Sequence, residues 1–267
     1  MFRRSERMFR YSGNGCVSQR HQREGAQVRA EEEHKEGSAF PSGLEQPEGS
    51  FRFSGDALLL ADFAAECALP QQVFFADLGT GCGVVALAAL RGRPLWRGVG
   101  LEIQPPLAAA ACRNAARLGL EERFCVVEGN VADEAALRSL RARLRPEAGG
   151  SGDALPLFDV VLCNPPWRRE GAGRVPPSSM RRTALFGTER TFPDFFSAAD
   201  ALLKNAGLLV VVSGAERTAD LLASLPERLR PERLRFVFTR RDAPATFVLL
   251  AARKNGRGTL RVEKQEC

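Results

Sequence analysis

The stretch VFFADLGTGCGVVALAALRG, residues 73–92, joins an apolar strand, a glycine-rich loop and a helix. Strands and helices of similar length alternate along the chain to about residue 255. This alternation predicts an α/β fold: a doubly wound, seven-stranded, mostly parallel sheet with helices on both faces. The last two strands, LRFVFTR and TFVLLAAR, are joined by the short turn RDAPA. They should pair as an antiparallel hairpin at one edge of the sheet.

Composition divides the chain into three parts. Residues 1–50 are rich in Glu, Gln, Gly and Ser, so we expect a disordered or loosely packed N-terminal arm. Residues 51–255 form the expected folded domain, and residues 256–267 a basic C-terminal tail. The 267-residue chain is 44% hydrophobic, which is sufficient for one sizeable core. No feature of the sequence specifies an oligomeric state.

The cysteine, histidine and charge content narrows the classes of function. The seven cysteines include no CxxC pair and there are two histidines, so the sequence predicts no metal site. The odd number of cysteines indicates reduced thiols in a cytoplasmic protein. No apolar run approaches the roughly 18 residues of a membrane span, so we expect no membrane association. The net charge of +6 is compatible with binding to nucleic acid.

The glycine loop after the first strand has the features of a site for a ribose-containing cofactor. Glycines let the backbone turn tightly and approach a ligand closely. Glu102 ends the next strand, where a carboxylate can accept both hydroxyls of a ribose. The loop has neither the lysine of a phosphate loop nor the GxGxxG spacing of nicotinamide sites. The expected cofactor contacts are Asp77, Gly79, Thr80, Gly81, Gly83, Glu102 and Ile103.

A second motif, Asn164-Pro165-Pro166-Trp167, directly follows the apolar strand FDVVLC, residues 158–163. Ligands of open parallel sheets bind beyond the carboxyl ends of the strands, so Asn164 should lie beside the glycine loop. The oxygens of the Asn164 amide and the Pro165 carbonyl can both accept hydrogens from one NH2 group. Two such acceptors stabilise the positive charge that develops when a weakly nucleophilic amine attacks a methyl group. Trp167 can stack on a flat ring; a packed tryptophan in a proline turn is the structural alternative.

The two motifs together resemble class I S-adenosylmethionine-dependent methyltransferases that act on amino groups, whose signature is (Asp/Asn)-Pro-Pro-(Tyr/Phe/Trp). Within that class, FRFSGDALLLADF and NPPWRREGAGR resemble the bacterial tRNA1(Val) (adenine(37)-N6)-methyltransferase family, over residues 51–255. The resemblance implies S-adenosylmethionine as cofactor, with Asp77 near its amino acid end, Glu102 on its ribose and Asn164 beside the methyl group. The implied reaction is N-methylation of the exocyclic amine of adenine in tRNA.

The resemblance also implies roles for two segments outside these motifs. The family has Gly-Asp after the third strand, whereas this chain reads GNVAD over residues 129–133. Asn130 is therefore the expected contact to the adenine of the cofactor, with Asp133 as the alternative. The aromatic residue of the signature is a tryptophan where tyrosine or phenylalanine is more common. The segment before the first strand is implied to close the cofactor pocket, through Arg52, Phe53, Ser54 and Asp56.

Two basic stretches are candidates for binding the phosphates of an RNA partner. One is the loop that follows the Asn-Pro-Pro-Trp motif, and the other runs from Arg253 to Lys264. A solvated charged surface is the structural alternative for each stretch. The arginines expected to contact the substrate are Arg168, Arg169, Arg174, Arg181 and Arg182.

Other functions stay open at the level of sequence. The same amine-binding motif is compatible with methylation of guanine in ribosomal RNA, or of glutamine in a protein such as a release factor. A non-catalytic RNA-binding protein of the same fold is a third possibility, although both motifs are intact. A nicotinamide-dependent oxidoreductase is disfavoured by the spacing of the glycines.

Overall fold

The computed structural model describes residues 40–50, 52–143, 157–169 and 178–266. The chain divides into two compact units, Met1–Gly43 and Leu44–Cys267. Residues 40–43 of the first unit form a turn. Of the predicted N-terminal arm, residues 1–39 lie outside the described residues, and residues 44–50 belong to the second unit. The second unit contains every helix and strand given below.

The second unit is built on a large, mostly parallel sheet. Its strands are β1 (Val73–Leu78), β2 (Trp96–Glu102), β3 (Phe124–Glu128), β4 (Phe158–Cys163), β7 (Leu203–Gly214), β8 (Leu229–Phe238), β9 (Phe247–Lys254) and β10 (Arg261–Glu266). The order across the sheet is β10-β8-β9-β7-β4-β1-β2-β3, and β9 runs antiparallel to both of its neighbours. A separate two-stranded pair consists of β5 (Arg168–Arg169) and β6 (Phe186–Gly187).

Helices cover both faces of the sheet. They are α1 (Gly55–Glu66), α2 (Val84–Arg91), α3 (Pro105–Arg117), α4 (Glu134–Ala142), α5 (Ser179–Leu185), α6 (Thr191–Leu202) and α7 (Thr218–Ala223), with a 3-10 turn over Ala215–Arg217. Helices α4, α6 and α7 enclose one apolar cluster with alternate residues of the strands, such as Leu78, Leu101 and Val161. Helices α1, α2 and α3 cover the other face. Within the described residues, no helix has the length and apolarity to cross a membrane.

The sheet has eight strands where the sequence predicts seven. The additional strand, β10, arises from residues 256–267, which were expected to form a basic tail, and it pairs in parallel with β8. The predicted antiparallel hairpin, β8–β9, is confirmed, and β10 extends the sheet by one strand beyond it. Glu263 of β10 accepts hydrogen bonds of 2.8 Å from the Nε atoms of both Arg233 and Arg235 on β8. Ion pairs of Glu263 thus reinforce the backbone pairing of β10 with β8.

The centre of the sheet determines where a ligand can bind. β1 lies between β2 and β4, and Leu78 at its carboxyl end is paired with Leu101 on one side and Cys163 on the other. Strand order reverses at β1, because β2 and β3 follow on one side and β4 and β7 on the other. The loops that leave β1, β2 and β4 therefore converge at the carboxyl ends of the parallel strands, where doubly wound folds bind ligands.

Candidate active site

The glycine loop between β1 and α2 has a backbone that requires glycine. Gly79, Gly81 and Gly83 have φ angles of 72°, 59° and 88°, in the left-handed region that side chains rarely adopt. The amide groups of Gly79 and Thr80 donate to the carbonyl oxygen of Leu101, at 2.8 and 3.0 Å. The loop is thus tied to the end of β2, and residues 79–82 line a cavity.

Asp77 lies beneath this loop and not on the cavity wall. Its side chain is 1% exposed and accepts a 2.6 Å hydrogen bond from the hydroxyl of Thr80. Burial raises the pKa of Asp77 to about 7, although the hydrogen bond from Thr80 and one from the Ala86 amide lower it. Thr80 itself lines the cavity. In this structure Asp77 therefore acts on the cavity through Thr80, and its expected contact to the cofactor stays a prediction.

Glu102 at the end of β2 lines the cavity and is 5% exposed. One carboxylate oxygen accepts from the Gly81 amide at 2.8 Å and the other from the Gln104 amide at 2.9 Å. Burial raises the pKa of Glu102 despite these hydrogen bonds. Each oxygen retains a second lone pair, so the carboxylate can still accept from two ribose hydroxyls. The next residue, Ile103, is 50% exposed on the cavity wall, which suits contact with a flat base.

The two residues expected near the cofactor's adenine occupy different places. Asn130 is exposed and lines the cavity, and its side-chain oxygen accepts from the Ala132 amide at 3.0 Å. Asp133 is the N-cap of α4, where its carboxylate accepts from the Ala135 amide at 2.9 Å, and it is not on the cavity wall. Of the two alternatives, only Asn130 is positioned to reach a ligand.

The Asn-Pro-Pro-Trp motif lines the same cavity as the glycine loop and Glu102. The Nδ2 atom of Asn164 donates to Oδ2 of Asp56 at 3.1 Å. The carbonyl oxygen of Trp167 accepts from Arg217 at 2.5 Å, and the Trp167 ring meets that of Phe247 edge-on at 6.4 Å. The turn is therefore fixed at both ends, by α1 at the asparagine and by the segment after β7 at the tryptophan.

The segment around the start of α1 forms another wall of the cavity, as the resemblance implies. Phe53, Ser54 and Asp56 all line it. Asp56 is 4% exposed, and its Oδ1 atom accepts a hydrogen bond from the hydroxyl of Ser54. The other carboxylate oxygen is the partner of Asn164, a contact to the second motif that the resemblance does not imply.

The cavity enclosed by these elements has a volume of about 700 Å³. Binding sites for molecules of cofactor size commonly measure about 300–1,000 Å³. A carboxylate with free lone pairs, an exposed isoleucine and a loop of positive-φ glycines provide complementary contacts for the ribose, base and chain of an adenosine cofactor. The residues present therefore fit S-adenosylmethionine.

The predicted substrate-binding arginines are only partly brought together. Arg168 and Arg182 line the cavity, and the Arg168 guanidinium lies 5.6 Å from the centroid of the Trp167 ring. Arg181 is exposed but is not on the cavity wall. Arg174 and the side chain of Arg169 lie outside the described residues.

The second basic stretch, toward the C-terminus, is not a free basic surface at the cavity. Arg253 binds Glu232 through its Nε and Nη2 atoms at 2.6 and 2.7 Å. Lys254 is buried and donates to the carbonyl oxygen of Leu203 at 3.0 Å. Because β9 is antiparallel to β7, Arg253 at its end pairs with Leu208 near the start of β7. Arg253 therefore lies at the amino ends of the parallel strands, away from the cavity.

Sequence reasoning missed two residues that support the motif. Arg217 binds the Trp167 carbonyl from 50 positions away, and nothing in its local sequence indicates this contact. Gly187 of β6 packs on the Pro166 carbonyl so closely that a Cβ atom there would lie 2.2 Å from the oxygen. Its role follows from the β5–β6 pair, in which Gly187 lies opposite Arg169.

Comparison with known proteins gives relatives with one type of reaction and several acceptors. No family model matches the chain. A tRNA1(Val) (adenine(37)-N6)-methyltransferase of Porphyromonas gingivalis W83 is 29% identical over 200 residues, which are 73% of this chain and 72% of that protein. A release factor glutamine methyltransferase of Rhodospirillum rubrum is 32% identical over 159 residues, 56% of this chain and 42% of that protein.

Solved structures share the fold at lower sequence identity. A predicted O-methyltransferase, Atu636 from Agrobacterium tumefaciens, has a TM-score of 0.57 at 20% identity and matches 79% of this chain and 86% of its own. TrmN from Thermus thermophilus has a TM-score of 0.50 at 20% identity, over 74% of this chain and 48% of its own. The relatives agree on methyl transfer and differ in the group that receives the methyl.

Proposed function

We propose that this chain, which is a methyltransferase that uses S-adenosylmethionine, methylates the exocyclic amine of adenine in tRNA. The observation that carries the proposal is one shared cavity. It is lined by the glycine loop and Glu102, which suit the cofactor, and by Asn164, which suits an NH2 group. A methyl donor and an amine acceptor can therefore be held side by side.

The cavity residues can activate an amine without a strong base. S-adenosylmethionine supplies a methyl group on a sulfonium when bound. Glu102 holds the ribose, and the oxygens of Asn164 and Pro165 accept the two hydrogens of the acceptor amine. The lone pair of that amine is delocalised into its ring, so acceptors that favour a pyramidal nitrogen make it more nucleophilic. They also stabilise the positive charge that grows on nitrogen in the transition state. As the carbon–nitrogen bond forms, the carbon–sulfur bond would break, the cofactor would leave as the neutral thioether, and the methylated nitrogen would lose one proton to water.

An RNA substrate is supported by charge and by an aromatic side chain at the cavity. Arg168 and Arg182 line the cavity, where they can bind phosphates. Trp167 lines the same cavity as Asn164 and offers a ring on which a base can stack. An enzyme that acts on the amine of a base needs that base unstacked, which single-stranded loops of tRNA allow. The relatives from P. gingivalis support the same acceptor.

Glutamine in a protein is the second candidate acceptor. A side-chain amide presents the same planar NH2 group to Asn164, and the relative from R. rubrum is a release factor glutamine methyltransferase. The arginines at the cavity favour a polyanion over a neutral peptide loop, which is why we place tRNA first.

Labelling of separate acceptor pools tests the proposal. The protein is incubated with methyl-labelled S-adenosylmethionine and, separately, with tRNA, ribosomal RNA, DNA and release factors. We expect label in tRNA, and nucleoside mass spectrometry should identify it as N6-methyladenosine. Label in a release factor would favour glutamine, and label in guanosine of ribosomal RNA would favour that base. The absence of label from every pool would contradict the proposal.

The replacement Asn164→Ala tests the amine-binding role. We expect turnover to fall by about 100-fold or more, as when one preorganised hydrogen-bonding group is removed from an active site. Cofactor affinity measured by calorimetry should stay near that of the wild type. Asn205→Ala is the matched control, because Asn205 is an exposed asparagine near the start of β7. Turnover that persists in Asn164→Ala would remove the amine-binding role.

A further inference from the structure

We propose that Asp56 is a positioning residue that fixes the amide of Asn164 with its oxygen toward the acceptor amine. This inference rests on the proposed function, in which Asn164 binds the NH2 group that is methylated. It assigns Asp56 to the acceptor half of the site, whereas the sequence resemblance implies a contribution to the cofactor pocket.

The contact between the two side chains is specific in its atoms. Nδ2 of Asn164 donates to Oδ2 of Asp56 at 3.1 Å, and Oδ1 of Asp56 accepts from the hydroxyl of Ser54. Both carboxylate oxygens are thus engaged, each with a donor. Among the described ranges of the chain, this is the only hydrogen bond of the Asn164 side chain, so its Oδ1 atom is left for a ligand.

The hydrogen-bonding chemistry of the two groups favours one of the two orientations of the Asn164 amide. A carboxylate only accepts hydrogen bonds, whereas an amide has a donating and an accepting end. If the amide were rotated by half a turn, its oxygen would face a carboxylate oxygen, and two acceptors repel each other. Its NH2 end would then face the NH2 of the acceptor, and two donors would meet. Asp56 therefore selects the orientation in which Asn164 can receive a hydrogen from the substrate.

Asp56 is held in a fixed position because the helix that carries it is anchored in the core. It lies in the first turn of α1, where the helix dipole favours a negatively charged side chain. Leu60, Phe63 and Ala64 of the same helix are fully buried, so α1 is anchored in the core. The hydrogen bond consequently joins the end of β4 to a packed helix 108 positions away in the chain.

The replacement Asp56→Asn removes the selection and keeps the shape. The introduced amide can face Asn164 with either end, so the two orientations of Asn164 become comparable in energy. Proton–nitrogen NMR of side-chain amides reports this directly. The Asn164 NH2 resonances are assigned by their loss in Asn164→Ala. We expect them to shift and exchange faster with solvent in Asp56→Asn.

Asp62→Asn is the matched control for this spectrum, because Asp62 is an exposed aspartate on the same helix. It should leave the Asn164 resonances unchanged. Unmoved resonances in Asp56→Asn would overturn the inference. This readout needs no acceptor, so it decides the inference even if the wild type labels no pool and the proposed function fails.

Kinetics then separate a positioning role from a cofactor contact. With whichever pool accepts label, Asp56→Asn should lower kcat about 10–100-fold, as expected for a misplaced reactive group. Its cofactor affinity by calorimetry should match the wild type. In the Asn164→Ala background the same change should have almost no further effect, because the residue it positions is gone. Additive losses, or a proportional loss of cofactor affinity, would refute the positioning role.

Discussion

At the scale of single residues, the site contains two buried carboxyl groups, Asp77 and Glu102. Burial removes their hydration, and no positively charged side chain among the described residues compensates for this loss. Burial raises the pKa of Asp77 to about 7 and also raises the pKa of Glu102. Glu102 lines a cavity that fits a cofactor with a positively charged sulfonium and ammonium, and Asp77 lies beneath the glycine loop of that cavity, bonded to Thr80. Perturbed carboxyl groups of this kind are typical of functional sites, where the ligand supplies the missing charge. We therefore expect ionisation of these two buried carboxyl groups to lower the stability of the ligand-free protein near neutral pH.

The pH dependence of stability tests this interpretation of Asp77. Its folded-state pKa of about 7 lies above the ordinary value of 3.8, so its contribution to stability is fully present below about pH 4. That contribution is lost as the pH rises through about 7. The melting temperature of the ligand-free wild type should therefore fall more between pH 5 and pH 8 than that of Asp77→Asn.

Thermal melts of both proteins without cofactor measure the difference in slope. Asp62→Asn should keep the wild-type slope, because Asp62 is exposed on α1. Equal slopes in the wild type and Asp77→Asn would show that burial of this carboxyl does not govern the pH dependence.

At the scale of elements, the sequence predicts what depends on local pattern and misses what depends on distant pairing. Strands β1 and β4 have the predicted ends, because each is a mostly apolar run that is followed directly by a turn containing glycines or prolines. The prediction of a cavity shared by the glycine loop and the Asn-Pro-Pro-Trp motif follows from strand order alone. The contact of Asp56 with Asn164 could not be predicted, because it joins residues that are neighbours only after folding.

Strand β10 is the clearest failure of local pattern. Its sequence, RVEKQE, is charged, and five of its six residues would be assigned to a solvated tail. It pairs with β8, and its Glu263 binds both Arg233 and Arg235, which also bind Glu66 of α1. The two arginines hold the pKa of Glu263 down at about 2. The strand therefore depends on a network of ion pairs that no single segment encodes.

Glu263→Gln tests the dependence of β10 on this network. A folded-state pKa depressed from 4.5 to about 2 contributes stability that is present above pH 4.5 and lost as the pH falls toward 2. The variant should be less stable than the wild type at pH 7 by about 1–2 kcal/mol, the size of a lost charged hydrogen bond. The difference should shrink between pH 4.5 and pH 2.

Chemical denaturation across this pH range measures the effect. Glu266→Gln is the control on the same strand, since Glu266 is 55% exposed and pairs only with Lys264 among the described residues. It should change stability little at any pH. A constant deficit of Glu263→Gln at all pH values would indicate lost packing and not lost charge.

At the scale of the whole molecule, positive charge is distributed unevenly between paired and free groups. The arginines of β8 and β9 have carboxylate partners, such as Glu263 and Glu232. Arg168 and Arg182 line the cavity, and neither has an ion pair with a described residue. Among the residues that the structure describes, these two arginines are therefore cations without a carboxylate partner at the cavity where a base would enter. An RNA that delivers an adenine to Asn164 would pass these two side chains.

The salt dependence of tRNA binding tests this distribution of charge. Each phosphate contact releases counterions, so the logarithm of the binding constant falls with the logarithm of salt concentration by about 0.7–0.9 per contact. The double replacement Arg168→Ala/Arg182→Ala should weaken binding and make this slope shallower by about 1.4–1.8. Fluorescence titrations of labelled tRNA between about 50 and 200 mM salt cover the range in which the affinity changes most steeply.

A matched double replacement separates this effect from a change in net charge. Arg97 lies near the start of β2, and Arg257 follows the end of the antiparallel strand β9. Both are exposed, at the end of the sheet opposite to the cavity. Arg97→Ala/Arg257→Ala removes the same two charges, so it should reproduce only the small loss due to net charge and keep the wild-type slope. If both double variants change the slope equally, tRNA does not approach through the Arg168–Arg182 side. The RNA-binding surface would then have to be sought at the edge where the basic C-terminal stretch lies.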